Sequence, residues 1–226
     1  MIYAIPTIFF FLLVYGPFLW VKYILWKFNK QIESMPGTGS ELANHFIDRF
    51  KLDGVIVEKG KTDDNHYDPG GRIVCLSPDV FDGKSLTSIA VATHEIGHAI
   101  QFAKNEPVTR LRNKYLTKAQ TIKNIGIFIL MSIPFVGLIF RIPHLAFLTA
   151  GIGISTMLVS VLMYVAVLPE EYDASFNKAL PILEEGYVPK ENLPAIRQIL
   201  RACAYTYVAG ALADVIRLWR WLVLKR

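Results

Sequence analysis

Apolar residues gather along this chain in a few long runs, separated by stretches where polar and apolar positions alternate at short period. Residues 3–26 form a run long enough to cross a bilayer as one helix, with Trp20, Tyr23 and Trp26 near one interface. The segment MPGTGS at 35–40 breaks any continuing helix and offers Thr38 or Ser40 as an N-cap for a short amphipathic helix over 41–50. Around Gly54 the period shortens toward two, and residues 55–58 and 72–77 read as short strands on either side of the turn-rich DDNHYDPGG. Residues 84–102 read as a buried helix, bounded by Asp82-Gly83 and by Asn105-Glu106-Pro107. Two further apolar runs, 125–140 and 145–168, predict a second and a third span joined by the tight turn RIPH at 141–144. The last run, 202–224, carries Asp214, Arg217 and Arg220 at helical spacing, so it predicts either a span packed against others or a helix lying in the interface.

The expected architecture is a mainly α membrane protein, with three to four transmembrane helices and a small α/β extramembrane domain. Composition supports it: of 226 residues 53% are apolar and 19% charged, which excludes a purely water-soluble enzyme. The net charge of +5 changes the picture through its placement. Lys22, Lys27 and Lys30 follow the first run, and Arg110, Arg112, Lys114, Lys118 and Lys123 precede the second. That is the positive-inside pattern, so residues 27–121 and 169–201 are expected on the cytoplasmic side, and no nucleic-acid partner is expected. The N-terminal run lacks the basic n-region and cleavage site of a secretory signal and is expected to stay as an anchor. Cys75 and Cys203, far apart and in different contexts, read as reduced structural cysteines, not as a disulfide framework or a cysteine-based metal site.

The chemistry lies in His94-Glu95-Ile96-Gly97-His98. On a helix, positions i and i+4 share a face, so two imidazoles can converge on one metal ion while the carboxylate between them serves as a base toward water. Gly97, costly in mid-helix, makes sense where another backbone or a substrate approaches closely. Two His leave a tetrahedral zinc short of a protein ligand. The acidic candidates are Glu170, Glu171 and Asp173, which start a polar helix just past the third run, on the side expected for the HExxH helix. His66 and Tyr67 are candidate donors to the oxyanion that forms when a peptide carbonyl is attacked. The 72–77 strand is expected at the edge of its sheet beside the HExxH helix, where an extended substrate could pair with it.

The segments HYDP at 66–69, RIVCLSPDVFDG at 72–83, VATHEIGHAIQ at 91–101 and LPEEYDAS at 168–175, with the order of the spans, resemble the YugP-type membrane zinc metallopeptidases of bacteria. The resemblance covers most of the chain. It implies a zincin-like catalytic domain with one zinc per chain, held by His94, His98 and Glu171, with Glu95 as base. Residues 171–174 also resemble the EYxA portion of the gluzincin membrane endopeptidases, which usually carry an Asp where this chain has Ser175. Asp173 and Ser175 are both eligible to hydrogen-bond a metal-bound imidazole in its place. The implied protein is a zinc endopeptidase of the bacterial cytoplasmic membrane, acting from the cytoplasmic side on unfolded or flexible segments of protein or peptide. The competing readings are an intramembrane protease, whose NPxDG-like motif is missing here, and a non-catalytic membrane scaffold with a structural metal site, for which an intact Glu95 has no use.

Overall fold

The computed structural model describes the backbone of residues 4–140 and 143–223, with side chains in those ranges except at 4–11, 13, 137–140, 143, 146 and 214–223. Part of the RIPH turn, and the side chains of Asp214, Arg217 and Arg220, lie outside the described residues. In chain order the elements are α1 (Ala4–Lys27), α2 (Gly39–Phe50), β1 (Ile56–Lys59), β2 (His66–Asp68), β3 (Ile73–Leu76), α3 (Pro78–Phe81), α4 (Leu86–Ala103), α5 (Thr109–Phe140), α6 (Pro143–Val165) and α7 (Leu168–Tyr172). A π-helical segment (Asp173–Ala179), α8 (Leu180–Glu184), a 3₁₀ turn (Lys190–Asn192) and α9 (Leu193–Val223) complete the chain. The protein is mostly helical with one small sheet.

Two compact units are present. One comprises residues 20–110 and 169–205, and the other draws on the described parts of 1–19, 111–168 and 206–226.

In the first unit, α2 begins with a capping box: Thr38 Oγ1 accepts from Glu41 N–H, and Thr38 N–H donates to Glu41 Oε2 at 2.8 Å. Its apolar face buries Ala43 and Phe46, and the Phe46 ring meets Tyr187 edge-on at 4.9 Å. The sheet has the order β1-β3-β2, with β1 parallel and β2 antiparallel to β3. Two expectations are corrected here. A strand, β2, lies inside the stretch read as turn, and β3 is the central strand with neighbours on both sides, leaving β2 and β1 as the edges. Helix α4 starts on Ser85, whose hydroxyl accepts from Ser88 N–H at 3.0 Å, and every residue from Leu86 to Gln101 is buried. Its first turn is tied to the end of α1, where Thr87 Oγ1 donates to Leu25 C=O at 2.8 Å. The core around it contains Val74, Leu76, Ile96, Leu183, Ile196, Ile199 and Leu200, all shielded from water.

In the second unit, Ala119, Val161, Tyr164 and Ala211 form a buried cluster, with Tyr164 and Tyr207 stacked at 6.2 Å. Arg112 Nη2 donates to Tyr207 Oη at 3.0 Å. Two helical stretches, Thr109–Val136 and Phe147–Glu184, contain windows long and apolar enough to cross a membrane. Large apolar side chains on them face outward: Phe128 is 75% exposed, Phe135 67%, Phe147 76% and Leu162 67%. Helix α5 is continuous from Thr109, so the basic residues from Arg110 to Lys123 lie on its opening turns. The final apolar run continues a helix that already begins at Leu193.

Candidate metal centre

The HExxH motif occupies the middle of α4, with His94, Glu95 and His98 all buried. Four residues apart on a helix, the two imidazoles stand 4.7 Å apart between ring centroids and nearly perpendicular, at 80°. Glu171 arrives from α7 and is 1% exposed. One of its oxygens, Oε2, lies 3.3 Å from His94 Nε2 and 3.2 Å from His98 Nε2. A ligand atom from each of the three residues falls within 4.8 Å of the other two.

The far side of each ring fixes which nitrogen bears the proton. Ser175 Oγ lies 3.0 Å from His94 Nδ1 and spends its own hydrogen on Leu200 C=O, also at 3.0 Å. The hydroxyl oxygen therefore accepts from Nδ1–H. On His98, Nδ1 lies 3.0 Å from Gln101 Oε1. The Gln101 amide is turned that way because its Nε2 donates to Glu170 C=O at 3.0 Å and to Asp173 Oδ2 at 2.8 Å. With both Nδ1 atoms engaged away from the centre, both Nε2 atoms face one carboxylate oxygen. As neutral imidazoles and a carboxylate, these three groups offer a cation three converging donors in a buried space. Two ligands bound at about 2.0–2.1 Å around a tetrahedral ion stand roughly 3.3 Å apart, which the Nε2–Oε2 separations match. The donor set thus fits zinc.

Close approach of the two halves depends on one glycine. A Cβ on Gly97 would lie 2.7 Å from the carbonyl oxygen of Ala174, so only a glycine there lets the π-helical segment lie against α4. The wider turn of that segment, in which Leu180 N–H bonds Ser175 C=O, is a geometry often found at functional sites.

Of the residues expected at the site, the structure brings together His94, His98, Glu171, Asp173 and Ser175, while Glu95 is buried on the same helix. Asp173 reaches the centre through Gln101, and Ser175 contacts His94 directly. His66 and Tyr67, consecutive on β2, leave the sheet on opposite faces. Tyr67 is buried with its ring 5.7 Å from that of Phe102 on α4, whereas His66 Nδ1 shares a hydrogen bond with Asp64 Oδ1 at 2.9 Å. Burial pushes the Tyr67 phenol above its ordinary value, with Asp68 adding and Arg72 subtracting, so it keeps its proton as a donor. Sequence reasoning missed Gln101, which was legible only as a polar residue three positions after His98 in an apolar helix. It also missed the placement of Glu170, which is fully buried with Oε1 3.6 Å from His98 Nδ1.

Comparison with known proteins agrees with this geometry. The family model described as "Putative neutral zinc metallopeptidase" matches residues 3–226. The chain is 31% identical over 199 residues to "Putative membrane protease YugP" of Bacillus subtilis (strain 168), covering 88% of this chain and 85% of that protein. No solved structure matches. A match running from residue 3 to the last residue, on a chain whose HExxH helix carries a zinc-type donor set, places this protein in that neutral zinc metallopeptidase family.

Proposed function

We propose that the chain is a membrane-embedded, zinc-dependent endopeptidase whose metal is held by His94, His98 and Glu171. The observation that carries this reading is the convergence of two Nε2 atoms and one carboxylate oxygen in a buried space, on the helix whose next residue after His94 is the buried Glu95. A zinc ion bound there supplies Lewis acidity, acidifying water and polarising a carbonyl oxygen.

The protein's own groups do the rest. Glu95 takes the proton of the attacking water on a carboxylate oxygen and delivers it to the amide nitrogen as the peptide bond breaks. Ser175 and Gln101 hold the two imidazoles in the tautomer that leaves Nε2 open, and Asp173 holds Gln101. Tyr67, protonated and on the α4 side of β2, is the donor suited to the carbonyl oxygen, and His66 is not. An extended peptide adds to β2, the edge strand whose Tyr67 packs on Phe102 of the HExxH helix, since β3 has both of its edges occupied. Because main-chain pairing needs an unfolded strand, the substrates are flexible segments. The catalytic unit faces the cytoplasm, following the cations around α1 and at the start of α5.

Glu95→Gln tests this. The amide cannot accept the water proton, while the metal ligands are untouched, so peptide hydrolysis by purified protein is expected to fall about 10²-fold or more at unchanged zinc content. Turnover near that of the wild type would remove Glu95 from the mechanism.

A further inference from the structure

A second group of metal-type donors stands on the sheet. Asp64, His66 and Cys75 each present one ligand atom within 4.8 Å of the other two. The cause is the strand register: His66 on β2 is the direct antiparallel partner of Cys75 on β3, so both side chains leave the sheet on the same face. Val74 and Leu76, on the other face, are fully buried, whereas Cys75 is half-buried and within reach of solvent. Asp64 joins from the loop between β1 and β2 and already touches the imidazole.

That loop is held where it is by bonds unrelated to the cluster. Ser77 N–H donates to Asn65 Oδ1 at 2.8 Å, Gly60 N–H donates to Leu76 C=O at 2.7 Å, and Asp64 N–H closes a turn onto Lys61 C=O at 3.1 Å. A Cβ on Gly60 would lie 2.4 Å from Cys75 Sγ, so the backbone has been brought tight around the sulfur while its thiol side stays open toward His66 and Asp64.

We infer that Asp64, His66 and Cys75 form a second, solvent-accessible site for a divalent cation of the zinc class, separate from the HExxH centre. A thiol sulfur, an imidazole nitrogen and a carboxylate oxygen are the three donor types zinc accepts, and an open fourth position is filled by water. Spacings within 4.8 Å close onto ligand distances of about 2.0–2.3 Å by small side-chain rotations. Binding releases the thiol proton to solvent and ties the loop and β2 to β3. A filled site therefore stiffens the sheet edge next to α4. The two cysteines divide accordingly: Cys75 is a ligand, and Cys203 is a buried structural thiol.

Cobalt(II) discriminates the two centres, because only a thiolate ligand gives an intense sulfur-to-cobalt charge-transfer band in the near ultraviolet, and the HExxH donors include no sulfur. Full-length protein in detergent, stripped by chelator under reducing conditions and titrated with cobalt(II), is expected to show that band. It should persist in Glu171→Ala and Cys203→Ser, disappear in Cys75→Ser, and weaken at least 10-fold in apparent affinity in His66→Ala and Asp64→Asn. Zinc content should be two per chain in the wild type and one in Cys75→Ser. Absence of the band from saturated wild-type protein overturns the proposal, as does a band that survives Cys75→Ser or vanishes in Cys203→Ser. The cobalt–sulfur band and the loss of one zinc on Cys75→Ser are independent of the peptidase reading, whereas the total of two rests on it, since the other zinc is the one proposed at His94, His98 and Glu171.

Discussion

Gln101 shows how a neutral amide can govern a charged centre. Its oxygen accepts from His98 Nδ1–H only because its nitrogen is committed elsewhere, to Glu170 C=O and Asp173 Oδ2. Gln101→Leu removes that acceptor, frees the His98 tautomer and is expected to weaken zinc binding by roughly 10- to 100-fold, as is Asp173→Ala acting through Gln101. Glu171→Ala removes a ligand outright and should weaken it further. Chelator competition on the purified variants measures all three, and wild-type affinity in Glu171→Ala alongside loss in Glu170→Ala would move the ligand assignment to Glu170. What the sequence displayed at this scale was local. His94, Glu95 and His98 declare themselves because ligand spacing within one helix is a matter of counting residues. Gln101 does not, since its acceptors come from 69 and 72 positions away, and neither do His66 and Cys75, which are neighbours only through the register of two strands.

Between elements, the decisive contact is α4 against the π-helical segment. Gly97→Ala places a methyl 2.7 Å from a backbone oxygen, which cannot rotate aside as a side chain would. The segment must move as a whole, carrying Ser175 with it and shifting Glu171. Overpacking of this kind costs about 1–3 kcal/mol. A lowered melting temperature together with reduced zinc affinity is therefore expected, and a variant that melts and binds as the wild type does would show that the approach at Ala174 is not needed. Helix α2 was readable in advance, because Thr38 and Glu41 form a capping box and the apolar stripe repeats at helical period. Strand β2 was not: Asp, Asn, Pro and Gly around His66-Tyr67 are turn formers, and only antiparallel pairing with β3 across the short turn at 69–72 makes those three residues a strand. The same pairing puts β3 in the middle of the sheet, which no property of residues 72–77 alone discloses.

At the scale of the molecule, residues 20–110 and 169–205 belong to one compact unit, although 58 residues of the other unit, 111–168, intervene. If α5 and α6 cross the bilayer, the chain must leave and return on one side for that unit to assemble. Cysteines substituted for the exposed Lys61 and Lys190 in a background lacking Cys75 and Cys203 are thus expected to react with a membrane-impermeant reagent from the same side, the cytoplasmic one. Labelling from opposite faces would contradict both the topology and the zinc ligand set. The discontinuity has a consequence in time. His98 precedes Glu171 by 73 positions, so a ribosome working at roughly 5–20 residues per second releases the imidazole pair on the order of 4 to 15 s before the carboxylate. During that interval the nascent chain carries Glu95 and two of the three grouped metal-type donors, but not the third. On the proposed function, a peptidase for unfolded segments therefore lacks its third donor for as long as the unfolded segment nearest to it, its own growing chain, is still short of Glu171.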